Sequence, residues 1–234
     1  MVAVLMLELF FVVRIAAMIA IDPQSTTFQR SEAWILATTK GSLRWRQQWV
    51  PYAQLPDSLK RAVIASEDGD FVNHDGVEWE AIEKAWQKNA KAEEQAAKRL
   101  QAARAGAAAR APKIVGGSTI SQQLAKNLML SGERTLLRKG QEFVLTMLLE
   151  AFLSKQRILE IYLNSVEWGE GVFGAEAAAQ HYYRKPAARL TAFESARLAV
   201  MLPRPKYFEK VPNSGYLSSR ASTIVSRMGD AELP

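Results

Sequence analysis

The first 21 residues, MVAVLMLELFFVVRIAAMIAI, constrain the fold most, because they are apolar except for Glu8 and Arg14. About 20 apolar residues are enough for a helix to cross a bilayer core. The segment lacks the basic start of a cleaved signal peptide, and AAMIAIDPQ only faintly resembles a cleavage site. We therefore predict a transmembrane anchor over residues 1–21. A buried core helix is the alternative, since each charge costs about 2.5 to 3.5 kcal/mol at the membrane centre.

The chain is basic, with a formal charge of +6 from 30 basic and 24 acidic residues among 234. Such a protein suits an anionic partner, which could be nucleic acid, phospholipid or a phosphate-bearing substrate. There is no cysteine, which excludes disulfides and thiolate metal sites. The two histidines, His74 and His181, form no recognisable zinc pattern.

Beyond the anchor, apolar residues recur at three- and four-residue spacing, which predicts an all-α domain. Thr191 and Glu194 form a capping box at the start of TAFESARLAVML. The stretch GQEFVLTMLLEAFL is apolar almost all round and is predicted to be the buried central helix. SLRWRQQWV alternates loosely and could be a short strand.

We divide the chain into a linker or membrane-proximal segment at 22–54 and a catalytic domain at 55–234. Within that domain, residues 88–113 are rich in alanine, lysine and arginine and hold almost no large apolar side chain. This composition predicts a solvated helix or a flexible insertion. Contact with phospholipid is a less favoured alternative.

A helix-like apolar run ends in the charged stretch SEDGDFVNHDG, residues 66–76. Glu67 and Asp68 fall where the negative end of the helix dipole and apolar neighbours should raise the pKa of a carboxyl group. A carboxylate prepared in this way can act as a general base, presented by the following loop with Phe71 as its packing anchor. A solvated acidic turn is the alternative.

VGGSTISQQLAKNLML predicts a second helix start, because Thr119 and Gln122 form a capping box after Gly116 and Gly117. The amide groups of such a helix start can bind an anion. Further polar and cationic contacts are available from Ser118, Gln123, Lys126 and Asn127.

Arg134, Arg138 and Glu142 are four residues apart, so they lie along one helical face, with Lys139 beside them. They indicate either a surface ion-pair ladder or a second carboxylate held among cations at the edge of a site. The later stretch SKQRILEIYLNSVEWGEG carries Lys155, Glu160, Tyr162 and Asn164 on another helix, and Glu160 and Asn164 could simply cap or pair locally.

Together, EDGDFVNHDG, GGSTISQQLAKN, RKGQE, KQRILEIYLN and ESARLAVMLPRP, in that order, resemble the peptidoglycan glycosyltransferases that polymerise lipid II. The match spans roughly Leu55 to Pro205. An anchor followed by this domain resembles the monofunctional biosynthetic form. No S-x-x-K or K-T-G motif of a transpeptidase domain occurs, in contrast to class A penicillin-binding proteins.

The resemblance implies an inverting glycosyltransferase with a lysozyme-like α-helical fold, held by a single pass in the bacterial inner membrane with its domain in the periplasm. Its implied partners are lipid II, the lipid-linked glycan chain and cell-wall synthesis or division proteins, with no nucleic acid. It implies moenomycin as an inhibitor and no required cofactor, with a divalent Mg or Mn ion near Glu142 as an option.

The resemblance also assigns roles. Glu67 takes the proton from the 4-hydroxyl of the acceptor N-acetylglucosamine. Glu142 corresponds to the second catalytic glutamate of the family, and its role is open between orienting the cations, holding a divalent ion and assisting the departing oxygen. The substrate-binding residues it implies are Asp68, Phe71, His74, Ser118, Thr119, Gln122, Gln123, Lys126, Asn127, Arg134, Arg138, Lys139 and Lys155.

Two other functions remain open at this point. A lysozyme-like hydrolase or lytic transglycosylase would share the fold and one catalytic carboxylate, but it would not need a group of cationic side chains to bind pyrophosphate. A non-enzymatic, membrane-anchored module of cell-wall assembly would bind glycan without converting it. Analysis of the products separates these functions.

Overall fold

A computed structural model describes residues 2–102, 117–130 and 136–234 of the chain. The helices are α1 (Val2–Ala17), α2 (Thr27–Lys40), α3 (Asp57–Glu67), α4 (Trp79–Ala102), α5 (Ile120–Met129), α6 (Leu136–Phe152), α7 (Lys155–Ser165), α8 (Ala175–Tyr183), α9 (Ala192–Met201), α10 (Pro205–Lys210) and α11 (Gly215–Arg227). Two strands, β1 (Glu167–Gly169) and β2 (Val172–Phe173), form an antiparallel hairpin. The prediction of an all-α domain is therefore confirmed for the described residues.

The core forms where α3 packs on α9 and α5 packs on α6, with α11 covering α9. Its largest fully buried side chains are Trp168, Tyr162, Phe71 and Phe173. Local signals set the ends of two of these helices. The capping boxes of Thr119 with Gln122 and of Thr191 with Glu194 are both present, as predicted.

The hairpin gains one partner from the segment before α3. The Arg46 backbone N donates to Gly171 O (2.8 Å), and the Phe173 N donates to Arg46 O (2.9 Å). Gly171 has φ +71°, and a Cβ there would lie 2.3 Å from Arg44 O, so only glycine fits this approach. The strand predicted for SLRWRQQWV is thus a single bridge at Arg46.

Helix α6 is buried on one side only, so the prediction of an entirely buried central helix was wrong. Leu145 and Leu149 point into the core, whereas Phe143, Val144 and Phe152 are 40–45% exposed. A helix with neighbours on one side can bury only one stripe of its surface, whatever its composition. Leu148 packs against the edge of the core and is partly buried.

Helix α1 packs against α6, and its Phe11 and Ile15 are buried, as is Met18 just after the helix. On its other side Leu9, Phe10 and Val13 are exposed. Among residues 2–102, 117–130 and 136–234, we find no helix with the length and apolar character needed to span a membrane.

The alanine-rich insertion is helical as far as the structure describes it. Helix α4 runs without a break through residues 88–102. The rest of the predicted insertion, residues 103–113, lies outside the described residues. Residues 88–102 therefore form the helix that was one of the two predictions, the other being a flexible insertion.

Ion pairs hold α2 against the hairpin and α10. Lys206 pairs with Glu32 of α2 and lies 3.6 Å from the Glu167 carboxylate, while Lys40 pairs with Glu170. Burial is the main reason that the pKa of Glu167 is raised to about 7. A buried Glu167 carboxylate therefore costs stability at pH values where it must ionise.

We expect Glu167→Gln to remove part of the pH dependence of stability. Because the folded pKa lies above the usual 4.5, protonated Glu167 contributes stability that is present near pH 4.5 and lost as the pH rises through about 7. The free energy of unfolding of the wild type should fall by about 1 to 3 kcal/mol more than that of the variant between pH 5 and pH 8. Urea unfolding in neutral detergent at the two pH values measures this difference.

Glu170→Gln is the matched control. Pairing with Lys40 lowers the pKa of Glu170, so its contribution is lost only in acid and stays constant between pH 5 and pH 8. Parallel pH profiles for the wild type and Glu167→Gln would contradict the role of Glu167.

Candidate active site

The end of α3 and the start of α5 are joined by the Asp68 carboxylate. Its Oδ2 accepts a hydrogen bond from the backbone N of Ile120 (2.9 Å), and its Oδ1 lies 2.8 Å from His74 Nε2. Thr119 Oγ1 in turn donates to Gly76 O (2.6 Å). A carboxylate at a helix N-terminus is favoured by the helix dipole and by the amide donor. Asp68 therefore fixes the loop and α5 in one geometry.

Several residues predicted to bind substrate have their side chains committed within the protein. Asp68 is only 4% exposed and Phe71 is fully buried. Lys155 donates to Glu150 Oε1 (2.8 Å) and to His74 O, and it lies over the Phe71 ring. These contacts hold the side chains of Asp68, Phe71 and Lys155 within the protein. Asp68 also lines the cavity of Glu67 described below, and contact of these three residues with substrate stays a prediction.

The same is true of His74 and of the α5 capping pair. Burial lowers the pKa of His74, but the hydrogen bond and charge of Asp68 outweigh this effect, so its pKa is raised. Thr119 and Gln122 exchange hydrogen bonds across the helix start. Thr119 also lines the cavity described next, and Gln122 lines the larger groove beside it.

Glu67, the last residue of α3, lies in a cavity of about 160 Å³ formed by the α3 end, Glu78 and the α5 start. Gln123 Nε2 donates to Glu67 Oε2 (3.0 Å), and Ser66 Oγ donates weakly to Oε1 (3.5 Å). Burial is the main cause of the raised pKa of Glu67, and the bond from Gln123 opposes it. The predicted direction of the shift is confirmed.

A buried tyrosine holds the Gln123 amide in place. Tyr162 OH donates to Gln123 Oε1 (2.9 Å), so the amide must present its NH₂ group to Glu67. Burial first, and then the charge of Glu67, raise the pKa of Tyr162 well above its ordinary value, so the hydroxyl keeps its proton. Sequence reasoning noted Tyr162 on the α7 face but did not connect it with Glu67, since 95 residues separate the two in the chain.

A second, larger groove of about 460 Å³ runs between α2, α5 and α6. At its α6 side Glu142 is 4% exposed and pairs with Arg138 Nη1 (3.4 Å) and with Lys139. The predicted site residues that this groove brings together are Ser118, Gln122, Gln123, Lys126, Asn127, Arg138, Lys139 and Glu142. Arg134 lies outside the described residues.

Helix α2 supplies the third wall of this groove, with Phe28, Glu32 and Ile35. Sequence reasoning missed it, because residues 22–54 were assigned to a linker. The available signal was local: Thr26 and Gln29 form a capping box that starts α2. Gln29 also donates from Nε2 to Ser165 O (3.0 Å), which ties α2 to α7.

The two cavities adjoin each other. Ser118 lines both, and Gln123 lines the larger one while bonding to Glu67 in the smaller. The site therefore places a carboxylate with a raised pKa beside a groove with three cationic side chains, Lys126, Arg138 and Lys139. Such a pair can remove a proton from an entering group and stabilise an anion that leaves.

A divalent ion beside Glu142 stays a prediction from the sequence. Within the described part of the chain, no three acidic, histidine or cysteine side chains come together as metal ligands would. Glu142 is paired with two cations instead. We derive no chemical step through a metal.

Comparison with known proteins places the chain in a family. Residues 35–229 match the family model described as transglycosylase. A protein of Burkholderia thailandensis named biosynthetic peptidoglycan transglycosylase is 54% identical over 227 residues, covering 97% of this chain and 82% of its own length. Proteins of the same name from Burkholderia pseudomallei and Burkholderia ambifaria are 53% and 51% identical over 97% of this chain, and the match covers 82% and 85% of their lengths. Because the family model and relatives that are more than half identical cover most of its length, this chain belongs to the peptidoglycan transglycosylase family of enzymes.

Proposed function

We propose that the protein is an inverting glycosyltransferase that polymerises lipid II into β-1,4-linked glycan strands and releases polyprenyl diphosphate. The observation that carries this proposal is the direct adjacency of the Glu67 cavity and the cationic groove. A polymerase of a lipid diphosphate donor needs a base for the acceptor and cations for the leaving group, side by side.

In the proposed reaction the 4-hydroxyl of the acceptor sugar lies in the Glu67 cavity. Glu67 accepts the hydroxyl proton on a carboxylate oxygen while the hydroxyl oxygen attacks the anomeric carbon of the lipid-linked chain. The bond between that carbon and the diphosphate oxygen breaks, and its electron pair stays on the diphosphate. Lys126, Arg138 and Lys139 stabilise the added charge, and Glu142 holds the last two of these cations in position.

The groove argues against the alternatives. A hydrolase or lytic transglycosylase acts on a glycosidic bond between two sugars, where no diphosphate leaves, and would gain nothing from three cations beside its acid. A non-enzymatic module would gain nothing from a carboxylate whose pKa is raised by burial and whose orientation is set through Gln123 and Tyr162.

Incubating the full chain with purified lipid II and sizing the products tests the proposal. Polymers that muramidase digests, with release of polyprenyl diphosphate, are the expected result, and moenomycin should suppress them. Shortening of added glycan strands without polymer from lipid II would identify a hydrolase. Binding of lipid II with no conversion would identify an assembly module.

A peptidoglycan enzyme acts in the cell envelope, and we place this one at the inner membrane, with its domain in the periplasm beside its lipid-linked substrate. The exposed apolar side chains Leu9, Phe10 and Val13 on α1, and Leu137 and Phe143 on α6, support attachment to the bilayer through this side. The anchor at 1–21 is part of this proposal, as are partners from cell-wall synthesis or division.

Tyr162→Phe should slow polymerisation by about tenfold, mainly in kcat, by loosening the Gln123 amide. Without the phenolic donor the amide can turn its oxygen toward Glu67, which removes a hydrogen bond from the charged carboxylate. The pKa of Glu67 should then rise further, so the acid limb of the pH–rate profile should move to higher pH. Measuring kcat, KM and that limb separates positioning from substrate binding.

Tyr182→Phe is the matched control, since Tyr182 OH also donates a hydrogen bond, in its case to the backbone O of Trp168 (2.7 Å) and away from Glu67. An unchanged pH profile in Tyr162→Phe would show that Tyr162 does not act through Glu67.

A further inference from the structure

A groove of about 320 Å³ lies where α1 ends and the chain turns into α2. Arg14 lines it from the last turn of α1, and Arg30 lines it from the first turn of α2. Ala17, Met18 and Ile21 supply its apolar part. None of these residues takes part in the reaction proposed above.

The charges of this groove are unbalanced. The positive charge of Arg30 acts on Arg14, and neither arginine makes an ion pair with a carboxylate of residues 2–102, 117–130 or 136–234. Asp22 is the acidic residue of the lining, but its carboxylate is held by Arg157 Nη2 at 2.7 Å. Two guanidinium groups that share a groove without a counter-charge repel each other unless an anion lies between them.

One of the two arginines is already held in place. The Arg30 guanidinium donates to Ser25 O (3.2 Å), Ser25 Oγ (2.9 Å) and Thr27 Oγ1 (3.2 Å). These acceptors are neutral, so they orient the planar group without cancelling its charge. An oriented guanidinium binds phosphate oxygens at lower entropic cost than a free lysine would.

The position of the groove indicates which anion it takes. Leu9, Phe10 and Val13 form an exposed apolar surface on α1 directly before Arg14, and polar chain follows directly after Ile21. Arg14 lies in the last turn of α1, before this boundary, and an arginine near the end of a membrane helix extends toward the lipid headgroups with its aliphatic part on the apolar side. A soluble anion would not need the adjoining apolar surface.

We propose that the groove between Arg14 and Arg30 binds the phosphate of an anionic phospholipid headgroup, of the phosphatidylglycerol class. Arg14 and Arg30 donate hydrogen bonds to the phosphate oxygens, and Ala17 and Ile21 contact the start of an acyl chain. The site is separate from the cationic groove of Lys126 and sets the height of the domain against the membrane.

Thermal unfolding of the full chain in dodecyl maltoside tests this site without using activity. Phosphatidylglycerol added to the micelles should raise the Tm, because a ligand that binds the folded state stabilises it. The half-saturating lipid concentration should rise about fivefold in Arg14→Gln or Arg30→Gln and about 25-fold in the double variant. Arg220→Gln with Arg227→Gln removes the same charge from α11 and should leave the lipid response unchanged.

Three results would overturn the proposal. The first is an equal response to phosphatidylcholine, whose headgroup has no net charge. The second is a rise in the half-saturating lipid concentration that is as large in the α11 double variant as in the Arg14 and Arg30 variants, which would show a general charge effect. The third is a full response in Arg14→Lys with Arg30→Lys, since lysine keeps the charge and loses the planar fork.

Soluble sodium glycerol phosphate identifies the source of the phosphate. A raised Tm with this compound and none with phosphatidylglycerol would contradict a lipid ligand. Stabilisation by phosphatidylglycerol in a protein that fails to polymerise lipid II would support this site while contradicting the proposed function, so the two failures are distinguishable.

Discussion

Glu67→Gln is expected to slow glycan polymerisation by about 10² to 10⁴-fold, the usual loss when a general base is removed. Glutamine keeps the size of the side chain and can still accept the hydrogen bond from Gln123, but it cannot take the acceptor hydroxyl proton. Binding of the donor should survive, because the cationic groove is formed by other residues. Lipid II polymerisation, moenomycin binding and Tm should be measured together.

Asp70→Asn is the appropriate control for Glu67→Gln. Asp70 lies on the same loop, is exposed, and pairs only locally with Asn73 Nδ2 (2.8 Å) in the hydrogen bonds that the structure describes. A folded Glu67→Gln protein that binds moenomycin and polymerises lipid II near the wild-type rate would rule out Glu67 as the base. The raised pKa of Glu67 adds a second check, because activity should fall in acid at a pH above the ordinary value of 4.5 for glutamate.

Asp68→Ala should destabilise the protein by about 3 to 5 kcal/mol, as expected when one partner of a buried charged network is removed. The Ile120 amide would lose its acceptor at the start of α5, and His74 would lose the carboxylate that raises its pKa. Since α5 carries Gln123, the variant should also lose activity beyond its loss of stability. Urea unfolding and polymerisation at a temperature where the variant is folded measure the two effects.

Asp70→Ala is the control for the removal of an acidic group. Asp70 is exposed and its carboxylate accepts a local hydrogen bond from Asn73 Nδ2 (2.8 Å), and substitutions at such surface positions cost little stability. If Asp68→Ala destabilised the protein no more than Asp70→Ala, the Asp68 bridge between α3 and α5 would be unimportant to the fold.

The residues of the site differ in how far the sequence could predict their roles. Glu67 and the cations near Glu142 were predicted because their chemical types and spacing on a helix are local properties. The α2 wall was missed, since an apolar and polar mixture such as TFQRSEAWILATTK indicates a helix but not what it packs against. Asp68, Phe71 and Lys155 were predicted to belong to the site, but only the structure shows that their side chains are held by contacts within the protein.

What this sequence determined by itself was local: an all-α chain, capping boxes at Thr119 and Thr191, an acidic helix end at Glu67 and a mostly apolar first segment. These features depend on hydrogen bonds and periodicities within a few residues. The tertiary structure alone decided which distant groups meet, such as Tyr162 with Gln123, Asp68 with Ile120 and Arg14 with Arg30. The reason is physical: burial of apolar surface drives the helices together without regard to direction, and the contacts that result are spread over the whole chain.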